Sequence, residues 1–216
     1  MPDTICPTPG RIFPLGGSDM EFLSYGLLAL VILGVVAAVA TYNGLVRWRN
    51  YYRNGFAQID VQLKRRYDLV PNLVEATRAY LVHERGTLEA VIAARTTAAA
   101  AAARARTSPG DPAAMTDLAG AEAGLGSALG RLFAVVEAYP HLKADRTIAA
   151  LMEELTSTEN RIGFSRQSFN DMVTSYNNAR EVFPNVLLAS LLGFAPAQLL
   201  EATASPAERE APKVRL

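Results

Sequence analysis

Residues 145–183 read DRTIAALMEELTSTENRIGFSRQSFNDMVTSYNNAREVF, and within them Ile148, Leu155, Ile162, Phe169, Tyr176 and Phe183 follow one another at intervals of seven. Seven residues are close to two helical turns, so these side chains form one apolar stripe along a single long helix. Asp145, just ahead of the stripe, is placed to cap the helix N-terminus with its carboxylate. The companion seam, Met152, Glu159, Arg166, Val173 and Arg180, is mixed. Charges in an apolar seam are costly unless paired, so Glu159 and Arg166 are expected to find partners on other helices.

Working towards the N-terminus, prolines mark the expected helix boundaries: Pro71, Pro109, Pro112, Pro140 and Pro184. The segment between Pro112 and Pro140 repeats Leu118, Leu125, Leu132 and Tyr139 in sevens, with Leu129 and Val136 on the same stripe. Ahead of the loop Thr107–Pro112, a second segment from about Asn72 to Arg106 carries Val74, Leu81 and Leu88, and ends in an alanine run that favours helix. Glu84 continues its Val70, Thr77, Val91 series. The earliest segment places Leu45, Trp48, Tyr52, Phe56, Ile59, Leu63, Tyr67 and Val70 at 3-4-4 spacing, a period of 11 that keeps a helix nearly straight. With no alternating strand pattern in competition, the fold class is all-α: an antiparallel four-helix bundle of long helices over residues 42–184.

Residues 22–40 hold no charge over 19 positions, which as helix is about 28 Å, close to the thickness of a bilayer core. A transmembrane helix over 22–41 is expected. Ala38-Val39-Ala40 resembles a cleavage site, but the acidic flank Asp3, Asp19 and Glu21 opposes a signal peptide. Arg47, Arg49 and Arg53 follow the span, so residues 1–21 form a short tail outside and the bulk of the chain is cytoplasmic. In that topology the 107–112 loop and the end of the fourth helix lie nearer the membrane. Residues 185–200 are a short apolar segment too short to span, open to two readings, an interfacial stretch or a cap on the bundle. Residues 201–216 are polar and expected to be disordered.

Several kinds of chemistry are disfavoured. With 21 Lys+Arg against 21 Asp+Glu, the chain lacks the basic excess of a nucleic-acid binder. A single cysteine, Cys6, and two distant histidines leave no metal-ligand set. His83-Glu84-Arg85-Gly86-Thr87 begins like a zinc-protease helix but has Thr87 at the second ligand position. Gly124, Gly126 and Gly130 lack dinucleotide-loop spacing and read as close-packing positions. Lys64-Arg65-Arg66 reads as a solvated or intrahelically paired run. No catalytic, cofactor-binding or metal residue is assigned. Asp60, Glu159 and Arg166 are the polar candidates for a core site, structural or enzymatic.

Three stretches together resemble the LemA family of small bacterial membrane proteins: Gln58-Ile59-Asp60-Val61-Gln62-Leu63-Lys64-Arg65-Arg66-Tyr67-Asp68-Leu69-Val70-Pro71-Asn72-Leu73-Val74, Glu137-Ala138-Tyr139-Pro140-His141-Leu142-Lys143-Ala144, and Glu159-Asn160-Arg161-Ile162. Tyr176-Asn177-Asn178, Phe183-Pro184 and Gly193-Phe194 extend the likeness over approximately Tyr42 to Leu200. Phe56 stands where the family usually has tryptophan, Asp145 where it has asparagine, and Phe169 where it has tyrosine. These departures bear on aromatic hydroxyl bonds rather than on the fold. The resemblance implies an N-terminal membrane helix with a cytoplasmic helical bundle at the inner membrane, no established reaction or cofactor, and relatives linked to membrane organisation. It also implies structural polar positions at Asp60, Gln62, Arg65, Arg66, Asn72, Glu159, Asn160, Arg166 and Asn177. The expected function is a membrane-anchored scaffold or interaction protein, self-associating or bound to a protein partner. An envelope signalling component, or an enzyme with a polar site in the bundle core, is the alternative.

Overall fold

The computed structural model describes residues 17–201, and every regular element among them is helical. In order these are α1 (Gly17–Arg78), a 3-10 turn (Val82–Glu84), α2 (Arg85–Thr107), α3 (Pro112–Ala138), the short α4 (Pro140–Lys143), α5 (Arg146–Glu181) and α6 (Asn185–Leu191). The chain divides into two compact units, Met1–Tyr42 and Asn43–Leu216. Cys6, the tail before Gly17 and the tail after Glu201 lie outside the described residues.

In the first unit α1 already begins at Gly17, so the irregular tail expected through residue 21 is too long at its C-terminal end. The apolar residues that follow are not packed: Phe22, Leu27, Leu30 and Leu33 are each largely exposed. This helix is long and apolar enough to cross a membrane.

The second unit has one core, drawn from α1, α2, α3, α5 and the C-terminal segment. Asp145 caps α5 as expected from the sequence, accepting from Thr147 N and Ile148 N at 2.8 and 3.1 Å. Ile148, Leu155, Ile162, Phe169 and Tyr176 are buried, and the rings of Phe56 and Tyr52 meet Phe169 edge-on at 5.7 and 6.4 Å. Contacts fix the directions of the helices. Tyr52 packs on Tyr176 while Arg66 reaches Glu159, so residue numbers rise along α1 as they fall along α5. Asp60 meets Arg106 and Tyr67 meets Arg95, giving the same sense between α1 and α2.

Several expectations need correction. Phe183 is 75% exposed, because α5 ends at Glu181, two residues before the stripe would. Tyr139 caps the end of α3 and is partly exposed, as is Trp48 on α1. Gly124, Gly126 and Gly130 are exposed, with open space where a Cβ would stand, so they are not close-packing positions. Glu84 lies in the 3-10 turn and does not continue a stripe of α2.

The largest correction concerns Pro71, which does not end the first helix: α1 runs through it to Arg78, and α2 starts at Arg85 rather than near Asn72. Proline has no N–H, so the carbonyl four residues earlier, that of Tyr67, loses its helical donor. Arg95 of α2 supplies one, its Nε donating to Tyr67 O at 3.0 Å. The turn comes instead after Thr77, whose carbonyl accepts from Tyr80 N and Leu81 N. Arg95→Met should therefore cost about 1–3 kcal/mol by leaving a half-buried carbonyl without a donor. Adding Pro71→Ala should recover most of that loss, since alanine restores the helical N–H. Urea unfolding of the four proteins of this cycle measures the coupling, and purely additive effects would refute the account.

Beyond α6 the chain doubles back. Gly193, at φ +73°, lets Phe194 N bond Ala189 O at 2.9 Å, and residues 194–200 then run without helix along the second unit. Phe194, Ala197 and Leu200 are buried, so this part of the 185–200 segment caps the core. Two asparagines of α5 hold it by its backbone. Asn177 donates to Ala197 O (2.8 Å) and accepts from Ala197 N (3.0 Å). Asn170 does the same with Leu200 O and N, at 3.1 and 2.9 Å. Tyr176 Oη donates to Ala195 O, and Gln198 N donates to Gly110 O, both at 2.8 Å.

Candidate functional site

The strongest concentration of buried polar groups sits where α1, α3 and α5 meet. Arg66 comes from the α1 stripe: it lies seven residues after Ile59 and three after Leu63, both fully buried. Its side chain is 3% exposed. One terminal guanidinium nitrogen donates to Glu159 of α5, the other to Glu122 of α3. The hydroxyl of Tyr67 donates to the remaining oxygen of Glu122. Three helices are thus joined through one guanidinium, whose planar fork suits two carboxylates at once.

The electrostatics follow from burial. Loss of solvent pushes the Glu122 carboxyl above its usual range; Arg66 and the Tyr67 hydrogen bond pull it back, but less strongly. Tyr67 is driven far above the ordinary phenol range, first by burial and then by the charge of Glu122. Tyr176 is raised too, by burial and by Tyr52. Arg66 Nε is buried with no hydrogen-bond partner, so the guanidinium is committed through its two outer nitrogens.

The polar positions named from the sequence separate into several places. Arg66 and Glu159 belong to this cluster, and Arg66 is not part of a solvated run. A helix turns about 100° per residue, so Lys64, Arg65 and Arg66 face different ways. Lys64 pairs with Asp68 on the same helix, while Arg65 reaches Glu154 of α5 at the surface. Glu159 is paired but 54% exposed; the deeply buried member is Arg66. Arg166 lines a cavity of about 200 Å³ beside the cluster, together with Ile59, Leu63, Glu122 and Glu159. Asp60 is elsewhere, 3.5 Å from Arg106 and lining a separate hollow with Tyr67, Asp68 and Arg95. Asp60, Glu159 and Arg166 therefore do not converge on one pocket. Gln62 is half-buried with its Oε1 unpartnered, Asn72 and Asn160 are exposed, and Asn177 serves the C-terminal clamp.

Two participants escaped the sequence reading. Glu122 sits seven residues before Leu129 and fourteen before Val136, so it is the missing member of an apolar series, a signal that was present. Asn170 follows Phe169 in sequence and showed no such signal. Among the described residues no group of three or more His, Cys, Asp or Glu is placed to hold a metal ion. With a guanidinium shared between two carboxylates and a phenol held protonated, the cluster is a cross-helix tie.

The LemA family profile matches residues 55–216, well over half of the chain. The magnetosome protein MamQ of Magnetospirillum gryphiswaldense is 30% identical over 187 residues, covering 78% of this chain and 69% of its own length. MamQ 1 and MamQ 2 of Paramagnetospirillum magneticum are each 29% identical over 196 residues, covering 82% of this chain and 72% of theirs. A family match of that extent, on a helical unit whose buried arginine comes from the first of the stretches that carry the resemblance, leads to one conclusion: the chain belongs to the LemA family.

Proposed function

We propose that this protein is a membrane-anchored scaffold or interaction protein of the bacterial inner membrane. Residues 22–41 cross the bilayer once, with the N-terminus outside. The cytoplasmic part is an antiparallel four-helix bundle that assembles with itself or with a protein partner and performs no catalytic step. The observation that carries this reading is the Arg66 cluster: its groups bond one another across three helices, an arrangement that ties the register of the helices together. The exposed apolar stretch of α1 supports the anchor, and the three arginines after it support the orientation. Similarity to proteins named for the magnetosome agrees with a role in membrane organisation.

The test is complementation of a deletion strain. Asp60→Asn and Glu159→Gln keep side-chain shape and most hydrogen bonding while removing acid–base capacity, which in an enzyme contributes about 10²–10⁴-fold. Both variants are expected to complement, whereas a chain lacking residues 1–40 is not. A folded Glu159→Gln protein without function, beside an active anchorless chain, would overturn the scaffold in favour of an enzyme.

A further inference from the structure

We infer that α6 is a second membrane contact, lying with its apolar face in the headgroup–acyl boundary of the bilayer; this rests on the reading that residues 22–41 cross that bilayer. Phe183, Leu187 and Leu191 follow one another at intervals of four and are 75%, 63% and 80% exposed. Val182, Val186 and Leu192 widen the patch. The opposite side of the helix is occupied: Ala189 is buried, and Phe194 folds back beneath it. Among the described residues the outer side stays exposed while the inner one is buried, and an apolar surface of this kind marks an interaction site. From Val182 to Leu200 the sequence carries no charge, so the patch itself takes no charged side chain into lipid.

The position of α6 within the second unit selects lipid as the occupant. The Arg49 guanidinium stands 5.1 Å from the centroid of the Phe194 ring, so the end of α6 adjoins the stretch by which the chain enters this unit. Arg49 lies only nine positions beyond Ala40, the last of the uncharged span. That is about 14 Å as helix and about 30 Å at full extension, so Arg49 stays within about one bilayer-core thickness of the end of the span. Arg47 and Arg53 are exposed on the same stretch, matching anionic headgroups in charge. Trp48 and Tyr51, partly exposed with ring centroids 5.8 Å apart, are the residue types that settle at the membrane–water boundary. Arginines, interfacial aromatics and an uncharged apolar helix at one end of the unit together make a lipid-facing surface.

The test uses the full chain, with Cys6→Ser, reconstituted in vesicles of phosphatidylglycerol and phosphatidylethanolamine. A single cysteine carries an environment-sensitive fluorophore at Leu187, Leu191, Leu30 or Lys143. All four positions are exposed, so the label leaves the core intact. Labels at 187 and 191 are expected to be quenched by nitroxide-bearing lipids and to show several-fold less iodide quenching than the label at 143. Leu30 is the control for the span. Lipid quenching at 30 with full iodide access at 187 and 191 overturns the α6 contact alone, while no lipid quenching at 30 overturns the transmembrane reading beneath it. Shielding from iodide at 187 and 191 without lipid quenching, accompanied by fluorophore self-quenching between molecules, would assign the patch to a second copy of the chain and likewise overturn the inference.

Discussion

Leucine in place of Glu122 should destabilise the second unit by about 3–5 kcal/mol in urea unfolding of the detergent-solubilised protein. The variant leaves Arg66, 3% exposed, with only Glu159 at the rim, and takes the acceptor from the buried Tyr67 hydroxyl. Glu159→Leu should cost far less, about 1 kcal/mol, because Arg66 keeps its buried carboxylate and the lost partner is largely solvated. The pH dependence adds a sign. Burial raises the Glu122 carboxyl above its usual range, so the folded protein binds that proton more tightly than the unfolded chain. The associated stability is fully present below the ordinary carboxylate range and is lost as pH rises through the folded value. Arg66→Met removes the charge that pulls this carboxyl down, so its cost should be smaller at pH 5 than at pH 8. Equal losses for Glu122→Leu and Glu159→Leu would contradict the assignment of Glu122 as the hub.

Alanine at Gly110 should cost about 2–4 kcal/mol, combining the strain of a left-handed backbone with overpacking. Gly110 has φ +84°, and a Cβ there would lie 3.0 Å from Ala197 Cβ and 3.2 Å from Tyr52 Cε2. The C-terminal segment and the α2–α3 loop approach that closely because Gly110 O accepts from Gln198 N. Gly193→Ala is the control. Gly193 has φ +73° but open space around its Cβ position, so it should pay the backbone strain alone, about 1–2 kcal/mol. Unfolding midpoints of the two variants separate strain from crowding, and a Gly193→Ala loss as large as that of Gly110→Ala would show that crowding contributes nothing.

Periodicity located the long helices well, because Leu118, Leu125 and Leu132 or Ile148, Leu155 and Ile162 can share a face only on a helix. It failed where one contact from another helix overrides a local rule. Pro71 is a helix breaker by its own chemistry, and nothing within ten residues of it announces that Arg95 will satisfy the Tyr67 carbonyl. The core site was half legible. Glu159 interrupts a seam and was noticed for that reason, whereas Glu122 interrupts one equally but lies among glycines and alanines that drew attention to phosphate loops. Arg66 was marked as a polar position only through the family resemblance, since three consecutive basic residues look alike in sequence while a helix sends them in different directions. The division of residues 185–200 into an exposed helix and a buried extended strap has no periodic signature, because the strap is held through its peptide groups.

That last feature bears on how the C-terminal strap can evolve. A side-chain amide that meets both the N–H and the C=O of one residue, as Asn177 does with Ala197 and Asn170 with Leu200, reads main chain and is blind to the side chain it holds. Selection therefore falls on the two asparagines and on which peptide nitrogens carry hydrogen, beside the apolar burial of Phe194, Ala197 and Leu200. Proline stands at 196, whose nitrogen takes no part in these bonds, but is barred from 197, 198 and 200, whose N–H groups are all donated. Among the strap side chains Gln198 is the freest to drift, since Phe194, Ala197 and Leu200 are also held by burial and Leu199 packs against the core.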